Sequence, residues 1–428
     1  MTKTLSGRGL HNSTLSTNYN KTTLTNGLRI VTEEISHVRS VSVGVWIDVG
    51  SRDEIESING ITHFIEHMVF KGTKRFNNQQ IARSLESVGG YLNAFTTKEH
   101  TCFYARILDE HIERALDVIS DLIQNPILNA KEIEKEKLVV LEELKNIEDD
   151  PDDLIHDVLD KNVYRKHSLG YPVIGVAENI KRFTRPQMLK YIENHFTPDK
   201  IVIAAAGNLN HKIFTDLVDK YFVLETKNKI PSSRGEHPRK SFLKTETIER
   251  PINQAYVCIG TRSYSIHSNM RYPLLLMNTV LGEGMSSRLF QNIREKYGFA
   301  YSIFSFVNLL SDTGIFGVYV GTDNHNIERS LDLIYRELEK LKEKEIGKAE
   351  LSRTKAQMKG SLMLGLENMS NRMMRLGSGE LYFNQYISLD EVIGNIDAID
   401  ANDVLDVANR LLHKEKFSTV IFKPKKEN

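Results

Sequence analysis

Ile112-Glu113-Arg114-Ala115-Leu116-Asp117-Val118-Ile119 returns 215 residues later as Ile327-Glu328-Arg329-Ser330-Leu331-Asp332-Leu333-Ile334. Self-similarity at a fixed offset marks a duplicated unit, so the chain divides into two similar halves. A helix, a glycine and two strand-like runs precede each copy, over Ile81 to Ile107 in one case and Leu289 to Val320 in the other. Each half also closes on a β-rich run, Ile201 to Ala206 and Ser418 to Phe422. Between them KNKIPSSRGEHPRK (residues 227–240) is polar, basic and broken by proline and glycine, the composition of an exposed linker. The expected division is therefore a first half over 1–226, a linker over 227–240 and a second half over 241–428.

Composition sets the class. The 428 residues are 40% hydrophobic and 26% charged with zero formal net charge, as in an ordinary globular protein. Such a balance gives no argument for nucleic-acid binding, and no apolar run approaches the length that spans a membrane. Cys102 and Cys258 lie in different halves without metal-like spacing, which predicts buried thiols in a reducing compartment. Before Glu33 the chain is rich in Thr, Ser and Asn and carries Lys3, Arg8, Lys21 and Arg29 without an acid. That suits a transit segment, but residues 1–22 lack both a secretory apolar core and an amphipathic arginine helix, which favours a plain extension into the first strand.

The chemistry is concentrated in His63-Phe64-Ile65-Glu66-His67. At helical spacing the positions i, i+3 and i+4 share a face, so His63 and His67 can hold one metal ion with Glu66 beside them. Phe64, Ile65 and Met68 then face a core. The pattern arises by chance in a chain of this composition on the order of a few per cent of the time, so it needs a third ligand. A helix is predicted over Glu132 to Ile147, with Ile133, Val140, Leu141, Leu144 and Ile147 at near-helical spacing. Glu136 and Glu143 are two turns apart on one face, beside Val139 and Val140, where a carboxylate is costly without a cation. Spacing alone leaves Glu142 and Glu143 both open as the ligand.

GITHFIEHMVFKGT (Gly60 to Thr73), with Glu143 seventy-six residues after His67 and Glu136 seven before Glu143, resembles the inverted-zincin family of pitrilysin and insulinase metallopeptidases. The resemblance covers nearly the whole chain. NGLRIVTEE, SVGVWIDVGSRDE, NAFTTKEHTCFYARI and REKYGFAYS place it closest to the catalytic beta subunit of the mitochondrial processing peptidase and its bacterial relatives. It implies an α+β fold of two homologous sandwich halves, each a mixed, mostly antiparallel sheet with helices packed on it, closing like a clam around a chamber. It also implies one zinc per chain on His63, His67 and Glu143, Glu66 as general base and Glu136 orienting a ligand.

The second half has lost these groups. At the repeat offset, Asn278 to Gly282 stands where the histidines would be, and Gly360 and Ser361 near the position of Glu143. A copy that keeps its shape without the site suggests binding to the other half or to substrate. In the resembling family an arginine and a tyrosine spaced like Arg294 and Tyr301 reach the zinc site and contact the substrate backbone and scissile carbonyl, a site for oxyanion stabilisation. Gly298 between them is the expected helix cap, and Tyr297 departs from the arginine common in the family. Gly89-Gly90-Tyr91-Leu92-Asn93-Ala94-Phe95-Thr96-Thr97 reads as a strand entered through paired glycines. In similar proteins its edge takes up an extended peptide, which makes Asn93, Ala94 and Phe95 substrate-binding candidates.

Residues 1–225 hold 27 basic and 32 acidic side chains, so the first half is near −5 and the rest near +5. The acidic run Glu148 to Asp153 follows the Glu143 helix and is expected to favour basic, presequence-like peptides, or else to be a solvated loop with Pro151 starting a helix. Together these readings predict a zinc metalloendopeptidase for extended or unfolded peptides. The alternatives are a catalytic subunit needing a homologous partner, in a homodimer or heterodimer, and a non-catalytic zinc-binding structural subunit. The expected setting is the bacterial cytoplasm or a mitochondrial matrix.

Overall fold

Two mixed sheets organise the computed structural model, which describes residues 18–225, 234 and 243–425. The linker expected over 227–240 thus lies outside the described residues apart from Arg234, as do residues 1–17 of the N-terminal extension. The first sheet comprises β1 (Tyr19–Thr23), β2 (Arg29–Glu34), β3 (Ser40–Ile47), β4 (Tyr91–Thr96), β5 (Thr101–Leu108) and β6 (Ile201–Gly207), in the order β1-β2-β6-β3-β5-β4. The second comprises β7 (Thr245–Arg250), β8 (Ala255–Ser263), β9 (Ala300–Leu309), β10 (Gly314–Thr322) and β11 (Ser418–Pro424), in the order β7-β11-β8-β10-β9. Leaving out β1, the orders are the same, with one parallel pair in each sheet (β2 with β6, β7 with β11) and antiparallel pairing elsewhere. The α+β fold of two homologous halves is what the duplicated sequence predicts.

The repeated octapeptides open helices Ile112–Gln124 and Ile327–Glu343, each following the second strand of its hairpin. Ile119 and Ile334, equivalent in the repeat, are both buried in the cores of their own halves. No helix among the described residues is long and apolar enough to cross a membrane. Cys102 and Cys258 are both buried free thiols.

Central strands β3, β6, β8 and β10 are apolar on both faces, so each sheet needs a helical layer on each side. A half's own helices cover one face. The other is covered by a helix from the opposite half. Helix Pro151–Val163, started by Pro151 under an Asp150 cap, packs Ile155, Leu159 and Val163 against Tyr256, Cys258, Val420 and Phe422. Reciprocally, helix Met369–Phe383 packs Met373 and Leu376 on Val31, Trp46, Val202 and Ala204. Glycines let the exchanged helices approach. A Cβ on Gly44 would stand 2.3 Å from Met373 Sδ, one on Gly260 2.7 Å from a Leu159 methyl, and one on Gly377 2.0 Å from Trp46 Nε1.

Buried ion pairs join the halves. Arg52, 2% exposed, donates to Glu99 at 2.6 Å within the first half and to Asp312 at 2.5 and 2.7 Å in the second. Glu33 pairs with Arg372 at 2.5 Å, and Glu380 with Lys21 at 2.8 Å and Arg29 at 3.3 Å. Arg234 donates to Asp48, Asp53 and the Glu99 carbonyl. Burial alone would raise the Glu99 carboxyl, but the Ser311 hydroxyl and amide, with Arg234 and Arg52, outweigh it and hold that group below the usual range.

Because the indole of Trp46 is a rigid wall, Gly377→Ala should push the exchanged helix off the first sheet and cost about 1–3 kcal/mol. Urea denaturation should show this as a lower midpoint, and an unchanged midpoint would mean that the contact has slack.

Candidate metal centre

Helix Ile61–Val69 carries the His-Glu-His turn, and its start is unusually well held. Its N-cap Gly60 sits at φ +96°, and a Cβ there would meet the Ile174 carbonyl at 2.6 Å, so only glycine fits. The buried Glu54 carboxylate accepts from Gly60 N at 2.8 Å, Thr62 N at 2.9 Å and Asn59 Nδ2 at 2.9 Å. It thereby satisfies amides that a helix N-terminus leaves open. Burial pushes the Glu54 carboxyl up to about 7 against those donors. Phe64, Ile65 and Met68 are wholly buried in the first-half core, as the helical spacing predicts, and turn His63, Glu66 and His67 to the other side.

Helix Ala130–Asp149 runs alongside. Its Ile133 and Val140 are buried, whereas Val139, expected near the core, is half exposed. The rotation puts Glu142 toward solvent and Glu143 at the histidines, so of the two that spacing left open Glu143 is the one beside them. Glu143 Oε1 lies 3.7 Å from His63 Nε2, and its Oε2 lies 3.5 Å from His67 Nε2. All three donor atoms fall within 4.8 Å of one another, the one such trio of His, Cys, Asp or Glu among the described residues. A tetrahedral zinc with bonds of about 2.0–2.1 Å sets its donors about 3.3 Å apart, so the set fits that ion.

The surroundings orient the ligands. Glu136, 3% exposed, accepts from His67 Nδ1 at 2.9 Å and from Lys71 at 2.6 Å, which leaves His67 Nε2 for a metal. His63 Nδ1 is buried without a hydrogen-bond partner among the described residues. Burial, with the neighbouring His67, lowers His63 to about 4, so it is held in the neutral form that ligation requires. Burial also lowers His67, but Glu136, Glu143 and Glu66 together raise it. Glu66 is raised mainly by burial, against the Thr96 hydroxyl, which donates to Oε2 at 2.6 Å.

A cleft of about 360 Å³ opens over this cluster, lined by Ala94, Phe95, Thr96, Ile147, Asp157, Val173 and Ile174. Ala94 and Phe95 are thus at the site. Asn93 is not in the lining; its amide donates to Tyr91 OH at 2.5 Å and its Oδ1 accepts from Ala94 N at 2.9 Å. Thr96, read in the sequence only as part of the strand, and Asp157 were given no site role by sequence reasoning. Strand alternation, which sets Thr96 two places from Ala94 on one face, could have found the first. Asp149 and Asp150 sit at an exposed helix junction, outside the cleft lining. The second half offers Arg294 on a π-helical turn, Phe290–Glu295, its guanidinium 4.7 Å from the Phe290 ring. Gly298 at φ +66° receives the chain, donating to Arg294 O at 2.9 Å, and Tyr301 follows on β9 with 77% exposure. Neither Arg294 nor Tyr301 lines the cleft around the histidines.

Family comparison matches residues 29–177 to the insulinase domain of peptidase family M16 and residues 182–358 to the M16 inactive domain. The uncharacterized zinc protease YmxG of Bacillus subtilis is 42% identical over 94% of this chain and 97% of its own length. The chain belongs to the M16 peptidase family. A further relative, the uncharacterized zinc protease SCO5738 of Streptomyces coelicolor, is 36% identical over 94% of the chain and 89% of its own. The M16 fold recurs in a protease from Helicobacter pylori, with a TM-score of 0.91 at 24% identity over 95% of this chain and all of that one. A Pseudomonas fluorescens structure described as an M16 inactive domain gives 0.88 at 19% over 96% and 99%. Membership supports metallopeptidase activity with zinc as the metal.

Elemental analysis should find about one zinc per purified chain, and His63→Ala, His67→Ala or Glu143→Ala should each abolish it. Glu136→Ala should weaken zinc affinity by about 10- to 100-fold in a chelator competition. Full zinc in the Glu143 variant would place the third ligand elsewhere.

Proposed function

We propose that this chain is a zinc metalloendopeptidase that cleaves extended or unfolded peptides, with one zinc per chain and Glu66 as general base. The observation that carries this reading is the meeting of His63, His67 and Glu143 at one point, with Glu66 on the same helical turn beside the same cleft. When bound, zinc supplies a Lewis acid that acidifies water and polarises a carbonyl. Glu66 takes the proton from the attacking water and returns it to the departing amine, work suited to a carboxyl raised by burial.

Substrate placement follows from the sheet. β4 is an edge strand, paired only with β5 among the described strands, so an extended peptide can add beside Ala94 and Phe95 with Asn93 at the margin. Arg294 and Tyr301, exposed on the second half, would donate to the peptide backbone and the scissile carbonyl oxygen. Asp157, which lines the cleft where the acidic run Glu148 to Asp153 does not, supports a preference for basic side chains. Both sheets belong to one chain and exchange helices, which supports activity of the single chain, alone or as a homodimer. A heterodimer with a homologous subunit would show itself as stimulation on adding that subunit. The named relatives are bacterial, and a bacterial cytoplasm is the setting we assign.

Cleavage of a quenched arginine-containing peptide should be lost with a chelator and restored by zinc. Glu66→Gln should keep the zinc and lose at least about 100-fold in kcat; retained turnover would remove Glu66 from the base role. Asp157→Asn should lower kcat/KM about tenfold for the arginine peptide relative to a neutral counterpart, and an equal effect on both would refute the charge preference.

A further inference from the structure

The turn between β4 and β5 touches the catalytic helix at one end and the second half at the other. At the first end, Thr96 Oγ1 donates to Glu66 Oε2 at 2.6 Å. Three residues on, Glu99 is 1% exposed and has both oxygens occupied. Its Oε1 accepts from Arg52 at 2.6 Å and the Ser311 hydroxyl at 2.5 Å, and its Oε2 from the Ser311 amide at 2.9 Å and the Tyr382 hydroxyl at 3.0 Å. Ser311 lies between β9 and β10, and Tyr382 lies on the exchanged helix Met369–Phe383, so both belong to the second half.

The turn between these ends has little freedom. Thr97 N and Thr97 Oγ1 both donate to His100 O, at 2.8 and 3.0 Å. Ser51 N holds Thr97 O at 3.1 Å and Arg52 N holds Lys98 O at 2.8 Å. The backbones lie so close that a Cβ on Gly50 would stand 2.4 Å from Thr97 O. A segment clamped in this way transmits displacement instead of absorbing it.

We propose that Thr96 is a positioning residue for the Glu66 carboxylate and that the second half sets Thr96 through Glu99. The proposal rests on Glu66 being the general base. A free glutamate side chain samples several rotamers. One short hydrogen bond to its charged Oε2 selects a single carboxylate plane and leaves Oε1 to face the reacting water. The first-half clamps make the turn rigid, and Ser311 and Tyr382 add the grip of the second half on Glu99, which couples the Glu66 geometry to the seating of that half.

The test compares Thr96→Val, Thr96→Ser, Tyr382→Phe and the Thr96→Val/Tyr382→Phe double variant in the full chain, by kcat and KM on one quenched peptide, zinc content, and crystal structures. Thr96→Val should lower kcat about 10- to 100-fold with KM and zinc unchanged, the worth of a hydrogen bond to a charged group. Thr96→Ser should restore most of the loss. Tyr382→Phe should lower kcat about three- to tenfold, and the double variant should be no worse than Thr96→Val alone, because both changes break one chain of contacts. The crystal structure of Thr96→Val should show Glu66 in more than one rotamer. Wild-type kcat in Thr96→Val, or an unchanged single Glu66 rotamer, would overturn the positioning role. Additive losses in the double variant would overturn the coupling. Failure of the base assignment is separable: Glu66→Gln would then remain active, while the Glu66 rotamer in Thr96→Val would still report on positioning.

Discussion

Each sheet of this protein is apolar on both faces, and each half supplies helices for only one of them. The remaining face is closed by a helix from the other half, and the rest of the architecture depends on that exchange. Exposing the outer faces of β3, β6, β8 and β11 would return Val202, Ala204, Cys258, Val420 and Phe422 to water, so the halves hold one another in place. Gly44 in β3 and Gly260 in β8 each leave room for the exchanged helix, against Met373 and Leu159 respectively. The duplication has therefore preserved a docking surface along with a fold.

The exchange brings charges into the seam. Arg52, Glu99 and Glu380 are almost fully buried, where an unpaired charge would be strongly destabilising, and each finds its counter-charge or part of it across the boundary or beside it. Such pairs add little net stability against an apolar contact, but they penalise any seating of the halves that leaves one of them alone. The metal centre follows the same logic on a smaller scale. Two imidazoles and a carboxylate are set at ligand spacing, Glu136 and Lys71 complete the charge around His67, and Glu54 fixes the helix that carries them.

Much of this was legible in the residues. The octapeptide repeat predicted two equivalent sheets because helix and strand periods survive duplication even where chemistry does not. His63, Glu66 and His67 were legible because a helix places i, i+3 and i+4 together without help from the rest of the chain. Glu143 was different. It and Glu142 are adjacent on one helix, and only the packing of Ile133 and Val140 decides which of them turns inward. Asp157 reaches the site from another segment through tertiary contacts, which local patterns do not encode, whereas Thr96 shares a strand face with Ala94 and Glu54 caps the start of the histidine helix. The helix exchange was invisible too: Met373 and Leu376 make an ordinary apolar stripe, and nothing in that stripe says whose sheet it covers.

We propose that an extended peptide lies along β4 over the histidines, within reach of Glu66. The most direct measurement is a crystal structure of the zinc-loaded Glu66→Gln variant with an uncleaved peptide. The predicted result is an added strand on the open edge of β4, its scissile carbonyl at the zinc and the residue-66 side chain beside the carbonyl carbon. A peptide bound away from β4, or zinc held by groups other than His63, His67 and Glu143, would contradict it.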